Sequence, residues 1–365
     1  MKIWIYAIAK NERAHVDRFM ASCAGADGVS VLDTGSDDGT PERLRELGAD
    51  VGRLVIKPWR FDAARNAALE LVPEDVEVCV ALDLDEVLAP GWREAIEAAW
   101  SEGTTRGRYL YVWSHDMSGG DGVTFWADKI HARHGYHWQY PVHEVLRSDW
   151  PETQRVIPGL RIDHWPDDTK SRGSYLPLLE LAVSEDPAND RNTHYLGREY
   201  MFHRRYGAAI ETLMRHLALP TATWKAERAA SMRYIAQCCD ALGDWESAAH
   251  WLTRAASEAP TQREAPYTLA QLYYRREDWP LCRYWAMRTQ AITERDYNYM
   301  TDPVAWGPGP YDLEAIADWQ LGIYDEALSA AQKAHELAPD DERLRRNLDI
   351  IRARAKEGKS DGRTE

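Results

Sequence analysis

The sequence is poor in phenylalanine, with 4 in 365 residues, and it has no long apolar run. No stretch approaches the roughly 20 consecutive apolar residues that cross a bilayer, which excludes a membrane-spanning helix. The opening residues, Met1-Lys2-Ile3-Trp4-Ile5-Tyr6-Ala7-Ile8-Ala9-Lys10, are too short for a secretory leader with its cleavage site and read as a first strand. Cysteine is scarce as well. The five residues Cys23, Cys79, Cys238, Cys239 and Cys282 are odd in number, sit in apolar contexts and show no metal-binding spacing, so they read as reduced, buried thiols of a soluble cytoplasmic protein. Positive charge is outnumbered: the net charge of −15 argues against a broad surface for nucleic acid or anionic lipid, leaving nucleic acid disfavoured as a partner. What is abundant is amphipathic aromatic surface. There are 16 Trp and 18 Tyr, ring types suited to grooves with one wet edge. At 365 residues, two domains are expected.

The rest of the chain is organised around Val78-Cys79-Val80-Ala81-Leu82-Asp83-Leu84-Asp85-Glu86, an apolar run that stops on carboxylates. It reads as a buried strand delivering Asp83 and Asp85 to a crevice, and alternation places residues i and i+2 on the same side. Two hard oxygen ligands at one point suit a divalent cation shared with a substrate phosphate. The competing reading is that the pair simply caps the helix expected near Gly91.

Upstream, strands are expected over 2–9, 29–32 and 51–57. Helices are expected over 12–23, with Asn11 as N-cap, from Pro41, and from Asp62. Strand and helix thus alternate into a parallel α/β sheet, in which ligands lie outside the carboxyl ends of the strands. The loop Asp33-Thr34-Gly35-Ser36-Asp37-Asp38-Gly39-Thr40 falls there, its small residues admitting a ligand to the backbone.

Four motifs in order, Ala9-Lys10-Asn11-Glu12, Leu32 through Thr40, Phe61-Asp62-Ala63-Ala64-Arg65-Asn66 and Leu82-Asp83-Leu84-Asp85-Glu86, resemble family 2 glycosyltransferases of GT-A fold. The likeness continues in Tyr140-Pro141-Val142-His143-Glu144 and Ile162-Asp163-His164 and then in helical repeats, as in the subgroup with C-terminal tetratricopeptide repeats. The resemblance implies a nucleotide-sugar donor, UDP-glucose or another UDP-hexose first, a Mn2+ or Mg2+ ion, and inversion at the anomeric carbon. By that implication Ala9, Asp33 and Arg65 face the donor nucleoside, and Asp83 and Asp85 engage ribose and metal. Asp33 could equally be a turn or helix cap, and Arg65 a partner for Asp62. The aromatic, histidine-rich stretch 107–147 is the implied acceptor side, with Trp113, Trp138, Tyr140 and His143. Inversion needs a base, Glu144 first and Asp116 second. His164 either completes the metal site or is a buried, hydrogen-bonded histidine. Lys170 and Arg172 either close over the diphosphate or belong to a solvated loop.

From about Pro187 the texture changes to helices punctuated by aromatic turns at Tyr206, Trp245, Trp279 and Tyr324, spaced 39, 34 and 45 residues apart. The tetratricopeptide period is about 34 residues. The expected organisation is a GT-A domain over 1–184, an all-α repeat solenoid over 185–354 and a polar, disordered tail over 355–365. A loop over 297–311 separates the third and fourth repeats. Such arrays bind chains on a concave face, so this half would hold the acceptor, form a homodimer or buttress the catalytic domain. The acceptor is open: a saccharide or lipid carrier, a peptide, or a modified nucleobase. The competing functions are a catalytically inactive nucleotide-sugar-binding scaffold that uses its repeats for protein interaction, and a transferase of nucleotidyl or phosphoryl groups.

Overall fold

Near-continuous apolar runs make strands buried on both faces, and the computed structural model, which describes residues 1–115, 119–166, 173 and 175–361, places them at the centre of a sheet. The chain divides into two units, Met1–Asp186 with Tyr297–Tyr299, and Pro187–Asp296 with Met300–Glu365.

The first unit runs β1 (Ile3–Ala9), α1 (Arg13–Ser22), β2 (Gly28–Asp33), α2 (Thr40–Glu46), β3 (Asp50–Arg53), α3 (Phe61–Glu70), β4 (Val78–Asp83) and β5 (Glu86–Leu88). It continues with α4 (Trp92–Ala99), β6 (Arg106–Val112), β7 (Thr124–Ala132), β8 (Tyr136–Gln139), β9 (Val145–Ser148), β10 (Gln154–His164) and α5 (Tyr175–Glu185). Eight strands form one mixed sheet in the order β3-β2-β1-β4-β7-β6-β10-β5, and β8 and β9 form a separate hairpin. The strands β3, β2, β1 and β4 are parallel, and β7 joins β4 antiparallel. Alternation along β1 splits the core. Ile3, Ile5 and Ala7 pack with Val16, Phe19 and Val31 on one face, while Tyr6 packs with Leu32, Ala68 and Ala81 on the other. The β1–β2 register sets Trp4 against Gly28, where an added Cβ would come within 2.2 Å of the indole, so only glycine fits.

Several boundaries differ from expectation for identifiable reasons. Asn11 does not cap α1. It adopts a positive φ of 57°, and its side-chain oxygen accepts the Asp37 amide at 2.9 Å, tying together the loops after β1 and β2. The third strand stops at Arg53 rather than running to residue 57, because it is an edge strand whose next residues, Leu54 and Val55, are exposed. The central strand ends at Asp83, so Asp85 lies in the tight turn into β5 rather than on the strand.

The second unit is a series of helix pairs: α6 (Asp190–Phe202) with α7 (Tyr206–Ala218), α8 (Lys225–Ala241) with α9 (Trp245–Glu258), α10 (Glu264–Arg275) with α11 (Trp279–Gln290), and α12 (Gly309–Leu321) with α13 (Tyr324–Leu337), followed by α14 (Glu342–Asp361). These are the repeats that the aromatic turns mark. Asn189, Asp244 and Asp278 cap α6, α9 and α11 through their side chains. At Gly197 a Cβ would lie 2.5 Å from Leu213, so glycine sets how closely α6 and α7 approach. The loop before the fourth pair lies earlier than expected, over 291–308, since α11 ends at Gln290 and α12 begins at Gly309, and Pro303–Trp306 form a 3-10 turn within it. The tail is not disordered from residue 355. Ala355 still packs, and α14 runs to Asp361. Among the described residues no helix is long and apolar enough to cross a membrane, and the five cysteines are buried and unpaired.

Candidate functional site

The parallel register places Ala9 opposite Asp33 and Ile8 opposite Asp83, so the carboxyl ends of β1, β2 and β4 bring the two acids to the same edge of the sheet. The carbonyl of Ala9 accepts both the amide and the hydroxyl of Thr34, at 2.8 and 3.0 Å, which shapes the floor of that edge. Asp33 is fully buried. Its Oδ1 accepts the Ser36 amide at 3.0 Å, a turn contact. Its Oδ2 is buried without a hydrogen-bond partner, the nearest cation being the Arg53 Nε at 3.5 Å. A buried acceptor left in this state calls for a donor.

Arg65, on α3, is 5% exposed and does not pair with Asp62, which Arg60 holds instead. Arg65 bridges two distant acids: its Nη2 reaches both oxygens of Asp83 at 2.8 and 3.1 Å, and its Nε bonds Glu144. The guanidinium lies 5.0 Å over the Trp138 ring. Burial would raise the pKa of Asp83, but the positive charges of Arg65 and Lys129 outweigh it and hold the carboxyl well below the usual range. Burial would likewise neutralise Arg65, and Asp83 and Glu144 keep it charged.

Three residues that the sequence did not single out complete this arrangement. Glu86, 1% exposed, accepts the Asp83 amide at 2.9 Å through Oε2, and through Oε1 the Tyr111 hydroxyl at 2.7 Å and the Lys129 ammonium at 3.1 Å. It latches the turn that carries Asp85. The place of Glu86 in the acidic motif was a signal; Lys129 and Tyr111, on the antiparallel strands β7 and β6, gave none.

Asp85 faces His164, the last residue of β10, with its Oδ2 3.4 Å from Nε2. His164 Nδ1 lies 2.9 Å from the Trp113 carbonyl, which can only accept, so Nδ1 carries a proton. In the neutral ring Nε2 is then a lone pair aimed at a carboxylate, which a shared proton or a cation would reconcile. Burial alone would lower the pKa of His164, but the Asp85 carboxylate outweighs it and raises it. A nitrogen and a carboxylate oxygen converging in this way fit a divalent cation, with the carbonyl of Trp113 fixing the ring. Asp83, engaged by Arg65 and Lys129, is within electrostatic reach of His164.

The expected acceptor side divides. Trp113 is 40% exposed and stacks on His164 at 4.5 Å, leaving ring surface available. Trp138 does not stack on a ligand: it is buried, and its indole N–H donates to the Tyr6 hydroxyl at 2.9 Å, making it a floor under Arg65. Tyr140 is also buried, with a φ of 85° and its hydroxyl 3.2 Å from Asp186. His143 takes a φ of 48°, and its ring meets Tyr175 edge-on at 5.7 Å. The turn these residues form brings Glu144 to Arg65, and the Pro141 carbonyl accepts the amide of Phe61 at the start of α3. Asp116, Lys170 and Arg172 lie outside the described residues. A further cluster of His115, Asp121 and Asp163 has metal-ligand composition, but Arg161 already binds both acids.

No protein-family model and no curated protein matches this chain. Several solved structures are similar to part of it. The crystal structure of MamA is 20% identical over 46% of this chain and 89% of its own, with a TM-score of 0.37. The C-terminal part of a TPR repeat-containing protein from Cytophaga hutchinsonii is 14% identical over 50% of this chain and 66% of its own, with a TM-score of 0.40. Yeast Tom70 is 14% identical over 52% and 37%, with a TM-score of 0.39. The repeat character of the second unit rests on its own capped helix pairs and their marker residues.

Proposed function

We propose that the first unit is a metal-dependent, inverting glycosyltransferase of GT-A type, moving a hexose from a UDP-sugar to an acceptor hydroxyl. The observation that carries this reading is that Asp33, whose buried Oδ2 has no hydrogen-bond partner, and Asp83 end strands on the same edge of the sheet, with the facing Asp85–His164 pair in the turn that follows Asp83 and at the end of β10. Asp33 Oδ2 would accept an N–H or O–H of the donor nucleoside. Asp85 and His164 would hold the Mn2+ or Mg2+ ion, which when bound neutralises the charge growing on the leaving diphosphate. Arg65 keeps Asp83 ionised and holds Asp83 and Glu144 fixed relative to each other. Glu144 would take the acceptor hydroxyl's proton on the oxygen that Arg65 does not hold. The bond from the anomeric carbon to the diphosphate breaks as the bond to the acceptor oxygen forms. Trp113 offers the exposed ring on which a sugar can stack.

A second reading has its own support. The Arg65 bridge already satisfies Asp83 and Glu144, a closed arrangement suited to a non-catalytic nucleotide-sugar-binding scaffold whose helix pairs serve protein interaction. Turnover separates the two. Incubation with UDP-hexoses, Mn2+ and a panel of saccharide, lipid-carrier, peptide and modified-nucleobase acceptors should release UDP with one of them, and addition of chelator should stop it; donor binding without UDP release across the panel would move the chain to the scaffold reading. Release of pyrophosphate instead would make it a nucleotidyl transferase.

A further inference from the structure

Three side chains of metal-ligand type meet in the second unit, and the transferase reading uses none of them. Asp190 begins α6, His216 lies in the last turn of α7 and Glu227 in the first turn of α8, so the connection from α7 to α8 folds back onto the start of α6. One ligand atom from each of the three lies within 4.8 Å of the other two. His216 Nε2 and Glu227 Oε1 are 3.2 Å apart. A tetrahedral Zn2+ holds nitrogen and oxygen ligands at about 2.1 Å, which sets them about 3.4 Å from one another. The buried pair is therefore already at ligand spacing, and Asp190 reaches the third position through its side-chain torsions.

Helix ends alone do not account for this meeting. Acids in first turns complement the helix dipole, which explains Asp190 and Glu227 singly. It does not explain a fully buried histidine facing a glutamate that is 3% exposed. Among the described residues neither Asp190 nor Glu227 is paired with an arginine or lysine, unlike Asp121 and Asp163, which Arg161 holds. A buried carboxylate so placed is costly unless a cation joins it.

The ring of His216 is also held from its far side. Its Nδ1 lies 2.9 Å from Ser231 Oγ, which is itself 2.7 Å from His194 Nδ1. A hydroxyl can donate to one of these nitrogens and accept from the other, so Ser231 fixes the ring whichever nitrogen carries its proton. With Nε2 on an ion, Nδ1–H donates to Ser231, the kind of outer contact that orients metal-bound histidines. Binding sends to solvent any proton held between Nε2 and Oε1.

We propose that Asp190, His216 and Glu227 form a Zn2+ site that clamps the connection from α7 to α8 onto the start of α6. Water completes the coordination on the side of Asp190, which is only part-buried. One imidazole nitrogen with two carboxylates favours Zn2+ over Mg2+ or Ca2+, which take all-oxygen sets. The site is independent of the candidate cation site in the first unit.

Calorimetric titration of the full chain with Zn2+, after stripping with chelator, tests it. Asp85→Ala is carried throughout, so that the candidate cation site of the first unit does not contribute. One Zn2+ per chain should bind, and about a tenfold excess of Mg2+ should not displace it. Adding Asp190→Asn should weaken binding by about tenfold or more, since losing a ligand costs at least what losing an outer contact does. The midpoint of helix unfolding, followed by circular dichroism, should rise with Zn2+ in Asp85→Ala and not when Asp190→Asn is added. Glu227→Gln should weaken binding as well; if it unfolds the repeats, the part-buried Asp190→Asn still decides. No Zn2+ bound by Asp85→Ala, displacement by Mg2+, or unchanged affinity on adding Asp190→Asn would overturn the proposal.

Discussion

The two units place unsatisfied polar groups in different settings. In the first, they include acceptors at strand ends: the buried Asp33 Oδ2, and the Asp85–His164 pair in which a carboxylate faces a ring nitrogen. In the second, donors and acceptors alike are left among packed helices, the Nε of Arg198 and of Arg233 as well as Oδ2 of Asp318. A parallel sheet exposes the ends of its strands, so acids there cost little and meet cations and nucleosides. Helix pairs bury their facing sides, so a polar group between them must be matched or must await a ligand.

The strongest break in this contrast is Arg65→Ala. It strands Asp83 and Glu144 in a buried setting, and a loss on the order of 3–5 kcal/mol is expected for an interior charge pair cut on one side, measurable by denaturant unfolding. A wild-type-like midpoint would mean that water already screens the acids. Asp85→Ala should abolish turnover and metal-dependent donor binding with the unfolding curve nearly unchanged; full activity would remove Asp85 from the cation site. Next is Glu86→Gln, which weakens the latch on the Asp83 amide, Tyr111 and Lys129. It should cost about 1–3 kcal/mol and reduce donor affinity together with stability. Glu144→Gln should lower turnover with donor affinity nearly unchanged, and a loss of donor affinity instead would take Glu144 out of the base role.

A smaller effect sharpens the comparison through pH. His131, in the first unit, is buried, and desolvation pushes its pKa down to about 3. The folded state therefore resists a proton that the unfolded chain accepts below about pH 6.5. The stability that this group contributes is complete above that pH and falls away as pH drops toward 3. Urea melts at successively lower pH should show the decline, and His131→Gln should flatten its upper part. An unchanged slope would mean that His131 is protonated in the fold.

What the sequence made legible was local. The acidic stop of the central strand, the small-residue loop after β2 and the aromatic turns of the repeats each sit within a few residues of their own signal. What it hid was made by distant partners. Arg65 meets Glu144 across 79 positions, and Lys129 arrives on an antiparallel strand with no motif around it. Trp138 has the composition of a binding platform, yet its indole is spent on Tyr6, 132 positions away. Asn11 looks like a helix cap and instead ties together the loops that follow β1 and β2.

The central claim, a cation-dependent donor site on the edge of the first unit's sheet, is tested most directly by thermal shift with UDP-glucose, with and without Mn2+, in the wild-type chain and in Asp85→Ala. A ligand that binds only the folded state raises its apparent stability with the logarithm of its saturation. The account predicts a shift in the wild type that requires Mn2+ and disappears in Asp85→Ala. Absence of a shift with any UDP-hexose, or one of equal size in the variant, would contradict it.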